Sequence, residues 1–176
     1  MKKKQAILVL LLLTISTQVF AISKMQQGVI NQANKMANAY LSKHYITYAQ
    51  FAYNRNPSPK ADTDLAELVE KHIADMHQQK NDILSMSFSQ PTDIINQGGL
   101  LQCAVPVKIV TRIGGGTLTR YTNMIAISRD KGKHWKFMDT GGKSLEAMQK
   151  QYPELSGKII LLPLPNETFE PDRKPE

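Results

Sequence analysis

Hydrophobic positions follow helical spacing up to about residue 80 and strand alternation after it. Met25, Val29, Ala33, Met36, Ala37, Tyr40, Leu41, Tyr48 and Phe51 recur at three- and four-residue steps. That spacing predicts one long amphipathic helix over 24–53. Asn56, Pro57, Ser58 and Pro59 end it, because proline neither continues a helix nor tolerates a helical residue before it. A second helix is predicted over 63–80, with Leu65, Leu68, Val69, Ile73 and Met76 on one face. Asp62 or Thr63 is placed to cap it, and Asp64 and Glu67 suit its positive N-terminal end. Leu84, Met86 and Phe88 then alternate with Ser85, Ser87 and Ser89, which is strand spacing. A short piece at 93–96 precedes Gly98 and Gly99, and three long strands follow over 100–113, 117–129 and 133–140. A short helix over 144–152 stops at Pro153, and 158–162 reads as a short apolar strand. From Pro163 the chain holds four prolines and many charges, so residues 163–176 are expected to be loose.

Turn chemistry suggests how the long strands pair. Taking Asp130, Lys131 and Gly132 as a three-residue loop sets Ile127 opposite Trp135, Ile125 opposite Phe137 and Asn123 opposite Asp139. A two-residue loop would set Trp135 opposite Ser128 and mismatch the apolar faces. A three-residue loop at Gly114, Gly115 and Gly116 pairs Ile109 with Tyr121, Val107 with Asn123, Val105 with Ile125 and Cys103 with Ile127. Both turns then select one apolar face, and a single-residue slip would reverse it. The opposite face carries Lys108, Arg112, Arg120 and Lys136, with Val110, Met124 and Met138 between them. Pro106 implies an edge or a bulge within its strand. The run from Ser128 to Trp135 fits the Asp-box pattern S-x-D-x-G-x-x-W, in which the aspartate bonds turn backbone and the tryptophan packs beneath the hairpin. A single copy is a hairpin device and implies no enzymatic activity.

The first 21 residues change the chemical picture. Lys2, Lys3 and Lys4 precede an apolar run from Ala6 to Leu13, and Val19-Phe20-Ala21 fits a peptidase cut after Ala21. The apolar run is too short for a bilayer span, which needs roughly 20 residues. Residues 1–21 are therefore read as a cleaved signal peptide, with no membrane span after processing. The product is expected in the periplasm or secreted. The net charge of +7 loses the three signal lysines and becomes +4, so the basic pI is no argument for a nucleic-acid partner. Residues 22–162 suit a single domain. One cysteine, Cys103, allows no internal disulfide and is read as a packing residue.

Two N-terminal helices followed by long antiparallel strands resemble the cystatin-like/NTF2-like α+β roll, over about residues 25–140. The resemblance implies helices packed on a curved antiparallel sheet around a cone-shaped cavity, and the lysine-led signal segment suits an exported bacterial protein of that class. The segment after 140 is expected to cover one end of that cone. The family includes isomerases, dehydratases and binding modules, so fold leaves function open.

Candidate chemistry is sparse. Asn123 facing Asp139 on an apolar face would make a candidate catalytic pair, with Asp139 as a general acid or base. Tyr45, Tyr48 and Tyr121 are candidate ligand-binding residues of the same cavity. His72 and His77 lack the spacing of a helical metal pair, and the triple glycine leads into a strand rather than a helix. Neither a metal nor another cofactor is expected. The reading that follows is a non-enzymatic binding domain for a small apolar ligand or a protein partner. Its alternatives are a cofactor-independent lyase or isomerase and a stoichiometric inhibitor or immunity-type protein. A homodimer through the outer sheet face, at Lys108, Arg120, Met124 and Lys136, is a further expectation.

Overall fold

The computed structural model describes residues 23–172, so the expected signal peptide lies outside the described residues. The chain forms α1 (Lys24–Leu41), α2 (Tyr45–Ala49), α3 (Pro59–Gln78), β1 (Asp82–Phe88), β2 (Ile95–Gln97), β3 (Leu100–Ile113), β4 (Gly116–Ser128), β5 (Lys136–Asp139), α4 (Leu145–Gln151) and β6 (Thr168–Pro171). This is the expected α+β class: helices on an antiparallel sheet ordered β1-β3-β4-β5. β2 pairs with β3 and β6 with β4.

The long first helix predicted over 24–53 is broken at Leu41. His44 N–H bonds Ala39 O at 2.8 Å and Lys43 N–H bonds Tyr40 O at 3.0 Å, while Lys43 takes φ 61°. This is a Schellman end with lysine where glycine is usual, so the sequence carries no visible stop signal. α3 ends the same way, with Lys80 at φ 58° and Asn81 N–H on Met76 O. α3 begins at Pro59 rather than 63, because Ser58 Oγ accepts the Ala61 N–H at 3.1 Å and Pro59 fits the first turn.

Both strand registers differ from expectation by one residue. Cys103 pairs with Ala126, Val105 with Met124, Val107 with Thr122 and Ile109 with Arg120. The turn is the two residues Gly114 and Gly115, with Gly115 at φ 84°, and Gly116 already belongs to β4. In the next hairpin Ile127 pairs with Lys136, Ala126 with Phe137 and Met124 with Asp139. The reason is that the sheet is buried on both faces. On one face Cys103, Val105, Ala126, Trp135 and Phe137 pack against Val29, Ala33 and Met36 of α1. On the other, Ala104, Ile125, Ile127 and Met138 pack against Met148, Leu155 and Ile159. With apolar side chains on both faces, alternation cannot choose between registers.

The segment after 140 thus covers the outer sheet face. Residues 158–162 form no strand, but Ile159 is buried there. Gln102, fully buried, fastens this cover: its amide donates to Glu154 O at 2.9 Å and accepts the Ser156 N–H at 2.9 Å. Pro106 sits in a central strand, where the chain leaves the sheet between β1 and β2. Its carbonyl accepts the Ser89 N–H beyond the end of β1, so its missing donor falls in the gap between the two strands. The C-terminal tail, expected to be loose, lays β6 along β4.

Candidate functional site

A cleft is built at the β5 edge. Residues 51–53 leave the helical region and run parallel beside β5. Phe137 N–H bonds Phe51 O at 2.7 Å and Tyr53 N–H bonds Phe137 O at 2.8 Å. This single bridge, at Ala52 and Phe137, covers part of an edge that would otherwise present free backbone groups. Across from it stands the hairpin between β4 and β5. Ser128 Oγ donates to Asp130 Oδ1 at 2.8 Å and accepts the Gly132 N–H at 2.9 Å; Asp130 Oδ1 also accepts the His134 N–H at 2.9 Å. The Asp-box reading of this turn holds, and Trp135 is buried beneath it at 1 % exposure. Gln32 of α1 ties the hairpin down, donating to Lys133 O at 3.0 Å and accepting the Trp135 N–H at 2.8 Å.

Between these elements lies a cleft of about 590 Å³, walled by Phe51, Ala52, Tyr53, Ile127 and Trp135. Its polar groups include Arg129, Lys136, Asp130, His134, Asn54 and Asp62. Arg129 stacks over Tyr53 at 5.4 Å and bonds its hydroxyl at 2.9 Å. Lys136 Nζ donates to Gln50 O. Tyr53 also donates to Glu154 at 2.6 Å, and Arg55 pairs with the same carboxylate at 2.9 Å. Burial opposes ionisation of Glu154, but the Arg55 and Tyr53 hydrogen bonds outweigh it and hold the carboxyl at about 2. One wall is therefore pinned to the cover of the outer sheet face.

The expected site residues are placed elsewhere, and none of the five lines this cleft. Asp139 is exposed at the end of β5, where its Oδ1 accepts the Thr122 hydroxyl at 2.8 Å and the Gly141 N–H at 3.0 Å. Asn123, 4 % exposed, belongs to the opposite face and donates to Leu162 O at 2.9 Å. The expected Asn123–Asp139 pair is not formed, because the register shift puts Met124 across from Asp139. Tyr48 does share the helix side with Asp139. Its phenol is pushed up by burial and then by the Asp139 charge. Tyr48 packs edge-on against Tyr40 at 5.3 Å, and Tyr45 against Tyr40 at 6.4 Å. Tyr121 lies opposite Lys108 on the outer face, away from both.

The expected dimer patch is split in the same way. Lys108 and Lys136 belong to the outer face. Arg120 and Met124 alternate onto the α1 side, where Met124 packs against the inner core. Cys103 is fully buried, and burial pushes its thiol up to about 12, which fits the packing role read from sequence. Sequence reading missed the contact between Asp130 Oδ2 and His134 Nδ1, 2.5 Å apart at the cleft. The Asp-box pattern held the signal, since its loop returns residue 134 to residue 130.

Among the described residues no helix is long and apolar enough to cross a membrane. No family model and no curated protein matches the chain. Among solved structures it is similar to an LEH-like epoxide hydrolase of M. tuberculosis, at 12% identity, with 73% of this chain and 98% of that chain covered. The TM-score is 0.32, and a likeness at that level carries no argument about what this chain does.

Proposed function

We propose that the protein is an exported binding domain of the cystatin-like/NTF2-like class, and that the cleft beside β5 takes a small, largely apolar ligand. The observation that carries the reading is the cleft itself. Its volume of about 590 Å³ falls within the roughly 300–1,000 Å³ common for small-molecule sites. Its walls are aromatic and aliphatic, and Arg129 and Lys136 offer polar anchoring at the margin. Export is supported by the N-terminal sequence pattern. Native mass spectrometry of the processed protein purified from its own source tests the reading. A bound species is expected on the unaltered chain and absent from Ala52→Phe, which fills the cleft. A bound species retained by Ala52→Phe would place the ligand elsewhere.

The Asp130–His134 contact favours a second reading, in which the cleft hosts proton transfer with His134 oriented by the carboxylate. That reading replaces Asp139 as the general base of a lyase or isomerase. His134→Gln separates the two readings: a binding domain keeps its ligand, whereas an enzyme loses turnover of whatever the cleft holds.

A further inference from the structure

We propose that the edge of β4 is a docking site for an acidic, extended peptide segment of a partner protein, and that β6 is a built-in occupant which such a segment displaces. β6 is only four residues long and every one of them is exposed. It pairs Thr168 with Thr119, Phe169 with Leu118, Glu170 with Thr117 and Pro171 with Gly116. The chain leading to it, from Pro163 to Glu167, pairs with no strand. Few ladder bonds and no buried side chain give a segment that opens at low cost.

The edge is shaped for what it holds. Gly116 is buried, and a Cβ built on it would clash first with the Glu170 carbonyl oxygen and then fall 2.6 Å from Cζ and 2.7 Å from Cε2 of Phe169. The missing side chain thus admits both the backbone of the added strand and its aromatic ring. Its φ is ordinary, so glycine is needed here for close approach and not for backbone conformation. Charge matches as well. Glu167, Glu170 and Asp172 surround Phe169 in the tail, while Arg120 follows the paired stretch of β4 and Arg112 stands on β3 opposite Thr117. Arg112 lies 3.9 Å from Asp172.

The occupant also leaves edge unused. Beyond Thr119, residues Arg120 to Thr122 have no strand beside them on that side before β5 begins to pair at Met124. Pro163 and Pro165, in the segment between Leu162 at Asn123 and Thr168 at Thr119, have no backbone N–H with which to pair along this stretch. A proline-free segment carrying the same acidic and aromatic pattern pairs further along the edge than β6 does. Strand addition of this kind draws affinity from main-chain bonds and specificity from side-chain seats.

The test uses the full chain and a fluorescein-labelled octapeptide with the tail's Thr-Phe-Glu order, glutamates at both ends and no proline. The tethered tail competes at high effective concentration. Phe169→Ala, which loosens it, is therefore expected to bind the peptide about tenfold tighter than the unaltered chain by fluorescence anisotropy. Gly116→Val is expected to bind neither the peptide nor its own tail, and the tail's release is read as faster amide exchange at Thr117 and Thr119. Circular dichroism and Trp135 emission report that both variants fold. A peptide with lysines in place of the glutamates is expected to bind more weakly. Equal affinity, or no binding, for the unaltered chain and Phe169→Ala would overturn the proposal, and so would binding that survives Gly116→Val.

Discussion

Among the described residues three non-glycine positions have positive φ, and all three are lysines: Lys43, Lys80 and Lys131. Two of them close helices, where glycine would avoid the steric cost of a Cβ in the left-handed region, about 1–2 kcal/mol. Glycine gives back part of that through its greater freedom in the unfolded chain. Lys43→Gly is therefore expected to raise unfolding stability by about 0.5–1 kcal/mol, read from the urea midpoint. No change, or a loss, would show that the lysine side chain itself stabilises the end of α1. The same residues explain why the helix breaks escaped sequence reading. Apolar spacing continues through Leu41 to Tyr48, and nothing at Ser42-Lys43-His44 has the usual composition of a stop.

At the scale of elements, the main helices and the long strands were legible, whereas the helix break at Leu41, the strand β6 in the tail, the missing strand over 158–162 and the register were not. The change from helical to alternating spacing places the helices before the sheet, and the serine alternation locates β1. The pairing of β3, β4 and β5 slipped by one residue because residues 144–162 bury the face expected to lie in water. That cover was itself hard to read, since Leu155 and Ile159 sit in irregular chain with no period. The slip carried the candidate site with it, parting Asn123 from Asp139 and Tyr121 from Tyr48. Its buried clamp offers a direct check. Gln102→Leu leaves the Glu154 carbonyl and Ser156 N–H without their partner, and a buried group left unpaired costs about 1–3 kcal/mol. The variant is expected to unfold at a lower urea concentration, with faster amide exchange at Ser156. Unchanged exchange there would mean that apolar packing alone holds the cover.

The whole molecule is a sheet held between two layers, with its cleft where three elements meet at one edge. Two carboxyls beside that cleft make its stability depend on acid. Burial works against Glu154, but Arg55 and Tyr53 hold it at about 2; the His134 N–H, despite some burial, holds Asp130 at about 2. Both values lie below the ordinary 4.5 and 3.8. Their stabilisation is thus full above the unfolded carboxylate range and is lost as pH falls from about 4.5 toward 2. The urea midpoint is expected to fall across that window, and to fall less in Glu154→Gln. An identical pH profile in that variant would show that the Arg55–Glu154 clamp adds nothing to stability. The cleft was invisible to sequence reading because its far wall, residues 51–53, was assigned to a helix. The chain's one tryptophan, Trp135, lines the cleft and reports on it directly. The most direct test of the binding claim is titration with 1-anilinonaphthalene-8-sulfonate, following energy transfer from Trp135. Saturable transfer at one probe per chain, abolished by Ala52→Phe, is the predicted result; no transfer, or transfer unchanged by Ala52→Phe, would contradict it.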